Sequence, residues 1–178
     1  MEFLGSIKFK IKYYSARVLL YLFILPKKSF GAEIGVCWGG NAKLLYYLTK
    51  PRWMFLVDPF KVIEGGKRHF PDAVEKMRIK VTKWVQGKSI KLFVGTSQNT
   101  AVWCYFRSIK LEWIYIDGDH EDLYNDLTNW YDNIKEGGII MGDDYGCEYP
   151  QIEVDLKRFC KERNLKYKTF HYQWWLKK

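Results

Sequence analysis

Cysteine is scarce in this chain, and the four present (Cys37, Cys104, Cys147, Cys160) form no C-x-x-C pair. That argues against a disulfide framework or a thiolate zinc site, and it fits a reducing, cytoplasmic setting. Long apolar runs are also missing. Val18 to Leu25 is an unbroken apolar stretch of eight residues, against the roughly 20 needed to span a bilayer. It follows a basic lead of Lys8, Lys10, Lys12 and Arg17, as in a secretory signal, yet Pro26-Lys27-Lys28 stands where a small-residue cleavage site belongs. Residues 3–25 therefore read as an amphipathic helix packed on the domain, with a membrane surface or a second subunit as alternative partners. Proline is sparse at five, and no linker, repeat or low-complexity tract breaks the chain. The expected organisation is one domain, with an N-terminal helix or lid over 1–31 and a body over 32–178.

Acidic residues are thin everywhere except in one stretch. Residues 112–149 hold eleven of the 20 acids against a single basic residue, Lys135, in a chain whose net charge is +9. A uniformly basic nucleic-acid glove would not carry such a block. The block needs a chemical explanation of its own.

What the chain does have is apolar and aromatic material, at 48% and 18% of residues. Short apolar runs at Ala32–Val36, Trp53–Val57, Ile90–Val94, Glu112–Ile116, Gly138–Met141, Leu165–Thr169 and Tyr172–Leu176 predict strands. Helical patterns fall between them, near 40–49, 69–86, 98–107, 122–135 and 150–163. In the fourth, Leu123, Leu127, Trp130, Tyr131 and Ile134 share one helical face. Alternation of this kind predicts an α/β fold, a doubly wound and mostly parallel sheet with helices on both faces. Ligands of such sheets bind at the carboxyl ends of the strands, so residues just after each strand carry most of the functional information.

The first expected strand leads into Glu33-Ile-Gly35-Val-Cys37-Trp38-Gly39-Gly40. A dinucleotide fingerprint would need glycine at 37, and a phosphate loop would need Gly-Lys-Ser/Thr; neither is present. The second strand ends at Asp58-Pro59-Phe60, with Asp58 where a doubly wound fold places the acid that grips ribose hydroxyls. The third ends at Gly95-Thr96-Ser97, small residues that can approach a purine edge. The fourth and fifth end at Asp117-Gly118-Asp119-His120 and Asp143-Asp144. Four aspartates and a histidine thus leave two strand tips, more than solvated turns require.

These motifs resemble the class I S-adenosylmethionine-dependent methyltransferases. EIGVCWGG is similar to their glycine motif, VDPF to their ribose acid and GTS to their adenine-side turn. IDGDHEDLYNDLTNWYDNIKEGGIIMGDDYG and the terminal QWWLKK are similar to the sugar and small-molecule O-methyltransferase branch that includes macrocin and mycinamicin O-methyltransferases. The resemblance implies a Rossmann-like seven-stranded sheet of order 3-2-1-4-5-7-6. It implies S-adenosylmethionine held by Glu33, Gly35, Gly39, Asp58, Phe60, Thr96, Ser97 and Asp117. It also implies Mg²⁺ or Mn²⁺ held by Asp117, Asp143 and Asp144, with His120 or Asp119 as the base.

The expected reaction is methyl transfer to a hydroxyl of a sugar, glycan or other small metabolite. Carboxylates without thiolates suit Mg²⁺ or Mn²⁺ better than Zn²⁺, and a nearby histidine is suited to take a proton. A nucleic-acid acceptor is disfavoured, because an acid cluster without metal repels phosphates. The alternatives are an RNA or protein methyltransferase and a cofactor-binding module without catalysis. The expected assembly allows a homo-oligomer.

Overall fold

The computed structural model describes residues 15–61, 71–118, 120–147 and 149–178. Five parallel strands form its spine: β1 (Phe30–Ile34), β2 (Trp53–Asp58), β3 (Ile90–Val94), β4 (Leu111–Ile116) and β5 (Ile134–Gly142). β6 (Tyr167–Phe170) and β7 (Gln173–Lys177) complete a seven-stranded sheet in the order β3-β2-β1-β4-β5-β7-β6. β7 runs antiparallel to β5 and to β6. The architecture and strand order expected from the sequence are those observed.

Side chains alternate across each strand, and here the alternation divides the core in two. Ala32, Ile34, Phe55, Val57, Ile114, Ile116 and Ile140 join one buried cluster. It is covered by α4 (Ser97–Phe106), α5 (Leu123–Tyr131) and α6 (Pro150–Glu162). Met54, Leu56, Trp113, Tyr115 and Met141 face the other way. They meet a helix over 15–23 (α1), α2 (Gly40–Thr49) and α3 (Pro71–Val85). Burying a side chain such as Leu56 or Leu127, both fully enclosed, stabilises by about 1.5–3 kcal/mol. Both faces are therefore closed, as a parallel sheet requires.

Several boundaries shift by about two residues, as where the strand expected over Ala32–Val36 is β1 at Phe30–Ile34, and one shifts further. The helix expected over 122–135 stops at Tyr131, and Ile134 is the first residue of β5, paired with Leu111. Asn133 is the cause: its side chain donates to the Ala101 carbonyl and its own carbonyl accepts from Leu111 N, which turns the chain into the sheet. At the N-terminus, the described part of the helix expected over 3–25 is α1, and residues 3–14 lie outside the described residues. α1 buries Ala16, Arg17, Leu20 and Tyr21 against the sheet face beside α2.

Candidate active site

All five parallel strands end at one edge, so the turns after β1 to β5 form a continuous rim. Its tightest contact lies between β1 and β4. Gly35 has φ +84, and a Cβ there would sit 1.9 Å from the Asp117 carbonyl oxygen. No residue with a side chain fits. The turn is held from β2, where Asp58 Oδ2 accepts from Val36 N and Cys37 N, both at 2.8 Å. The second oxygen, Oδ1, accepts from Phe60 N at 2.7 Å. Asp58 thus organises the glycine turn, a task the ribose analogy did not anticipate. Gly39 (φ +73) caps α2 in the left-handed region.

Glu33 is fully buried at the end of β1. Its Oε1 accepts from Asn41 Nδ2 at 2.9 Å, while Oε2 has no hydrogen-bond partner among the described residues. Burial pushes this carboxyl well above the usual range; the Asn41 bond opposes that and nearby Asp117 adds to it. An orphaned buried acceptor beside a glycine turn is costly unless a ligand's donor completes it. On the far side of the rim, Thr96 caps α4 by accepting from Asn99 N at 3.2 Å. Ser97 Oγ accepts from Trp130 Nε1 at 2.9 Å, tying α4 to α5.

The acids after β4 and β5 do converge, though not in the grouping expected. Asp117, His120 and Asp144 each offer a donor atom, and the three atoms lie within 4.8 Å of one another. His120 Nε2 is 3.0 Å from Asp144 Oδ2, and the imidazole stands edge-on to Tyr149 at 4.3 Å between ring centroids. Asp144 adopts φ 61 at the tip of its turn. Asp143 faces inward instead: buried, it accepts from Gln173 Nε2 and pairs with the Arg17 guanidinium. Among the described residues, the carboxylates of Asp117 and Asp144 are the ones that could hold a divalent cation here, with the His120 imidazole beside them. Carboxylate oxygens suit Mg²⁺ or Mn²⁺. Asp119 lies outside the described residues. Asp117, Gly118, His120 and Asp143 line a small cleft together with Ile116, Leu123, Ile152 and Trp174.

Arg17 is a residue of the rim that the motifs did not mark. It reaches in from α1, with Nη2 3.7 Å from Asp117 Oδ2 and Nη1 3.3 Å from Asn41 Oδ1. Its guanidinium carbon lies 5.8 Å from the Tyr115 ring centre. Tyr21, one turn later, donates to the same Asn41 oxygen at 2.7 Å. Dense packing pushes the Asp117 carboxyl up to about 6; Arg17 works against this and Asp144 reinforces it. An arginine preceding an apolar run carries no sequence mark of such a role.

A profile of a methyltransferase domain family matches residues 32–145, which include the strand-end residues Gly35, Asp58, Thr96, Asp117 and Asp144. The chain belongs to this family. It is an S-adenosylmethionine-dependent methyltransferase, and its sheet is that of the class I enzymes.

No curated protein resembles the methyltransferase closely enough to count as a relative. Among solved structures it is similar to the O-methyltransferase NovP, at 15% identity and TM-score 0.63, over 94% of this chain and 80% of NovP. It is similar to SMU.1697c from Streptococcus mutans, solved with SAH, at 12% identity and TM-score 0.62, over 93% and 97% of the two chains. It is also similar to MycE of mycinamycin biosynthesis, solved with Mg and SAH, at 14% identity and TM-score 0.59. There the match covers 93% of this chain and 48% of MycE. Identities this low speak for the fold alone.

Proposed function

We propose that this methyltransferase moves a methyl group to a hydroxyl of a sugar, glycan or other small metabolite, assisted by a divalent cation. The observation that carries this reading is the convergence of Asp117, His120 and Asp144 beside the cleft. S-adenosylmethionine lies along the strand tips in this reading. Gly35 and Gly39 leave room for its amino-acid end, and Glu33 Oε2 completes its bonding there. Asp58 and Phe60 flank the ribose, with Thr96 and Ser97 toward the adenine. The cofactor supplies an electrophilic methyl, and the protein contributes chiefly alignment of donor and acceptor.

An aliphatic hydroxyl is a weak nucleophile at neutral pH. A cation between Asp117 and Asp144 would lower its pKa and fix its direction. His120 takes the proton, its ring held by Asp144 at 3.0 Å. Asp143 contributes from behind, holding Arg17 and Gln173.

The test supplies a labelled methyl donor together with pooled sugars and, separately, RNA. Label should enter the sugar pool, vanish in excess EDTA and return with Mg²⁺ or Mn²⁺. His120→Ala should turn over about 10²–10⁴-fold more slowly, the range for a lost general base, with cofactor affinity unchanged by calorimetry. Label entering RNA, or full turnover in EDTA, refutes the proposal. Near-normal turnover in His120→Ala would transfer the base role to Asp119.

A further inference from the structure

α1 is apolar on two faces, and among the described residues only one of them is covered. Leu20 and Tyr21 are buried against the sheet, while Leu19, Leu22 and Phe23 stand outward at 47%, 43% and 79% exposure. A helix apolar on both sides is stable in water only when each side finds a cover. We propose that the outward face of α1 docks on the surface of an anionic lipid bilayer. Charge selects this occupant. Lys27 and Lys28 are exposed directly after α1, and the sequence ahead of α1 adds Lys8, Lys10 and Lys12 against the single acid Glu2. A second copy docked through this face would bring two such basic segments together, and three side chains are far short of a standard dimer interface. An anionic surface neutralises the same charges, at about fivefold in affinity per cation. The helix lies on the bilayer and does not cross it: no helix among the described residues is long and apolar enough to span one. The opposite face of α1 sends Arg17 and Tyr21 into the rim, so docking would place α1 between the bilayer and the strand tips. This inference does not depend on the identity of the methyl acceptor.

The test is co-sedimentation of the full chain with phosphatidylcholine vesicles, with and without phosphatidylserine, at low and high salt. Binding should need phosphatidylserine and be reversed by salt. The double variant Leu19→Ser/Phe23→Ser changes only exposed side chains. It should bind about tenfold or more weakly, given the apolar surface removed, with unchanged cofactor affinity and melting temperature. No sedimentation of the wild type, or equal sedimentation with neutral vesicles, overturns the proposal. A wild-type dimer in light scattering that the double variant abolishes would overturn it too, giving the face to a second copy.

Discussion

Arg17 ties the N-terminal helix to the acid rim, and replacing it with methionine tests that coupling. The substitution keeps most of the stem's volume and removes the cation that pairs with Asp143 and lies 3.7 Å from Asp117. Asp143 keeps only 4% of its side-chain surface exposed, so it is left as a buried charge without its counter-ion. Breaking such a pair from one side costs about 3–5 kcal/mol. Gln173 still donates to Asp143 and Asp117 retains 24% exposure, so the lower end applies, about 3 kcal/mol. For a chain of this size that is a fall in melting temperature of about 6–12 °C. Calorimetric melting of the wild type, Arg17→Met, Asp143→Asn and the double variant closes the cycle. The double variant should recover much of the loss, since no uncompensated charge remains and an asparagine oxygen can still accept from Gln173. A single variant melting within about 2 °C of wild type, or a double variant worse than Arg17→Met alone, would refute the argument.

Asp58→Ala leaves Val36 N, Cys37 N and Phe60 N without their acceptor. Calorimetry should show S-adenosylmethionine binding weakened by about 1–3 kcal/mol; unchanged affinity would remove Asp58 from the cofactor site. Glu33→Gln separates stability from function. The Glu33 carboxyl is raised in the fold, so its favourable contribution holds in acid and is lost as pH rises through the folded value. The glutamine variant should thus gain on the wild type in urea unfolding from mildly acidic to mildly alkaline buffer, while binding cofactor more weakly. Parallel stability curves would contradict the burial argument.

The order of elements, the doubly wound class and the rim at the strand ends were legible in the sequence, because they rest on local period and on glycines the backbone requires. Gly35 is such a case: its positive φ and its contact with the Asp117 carbonyl admit no other residue. The acid block of residues 112–149 likewise announced a charged site before any contact was known. Which of its carboxylates face one another was not legible. Asp143 and Asp144 are neighbours in sequence, yet one turns inward to Arg17 and Gln173 and the other outward to His120. That division depends on α1 arriving from the far N-terminus and β7 from the far C-terminus, contacts without sequence period or spacing. Spacing placed the acids at one edge; only packing decided that Arg17 would sit among them and that Asp144 would be left facing His120.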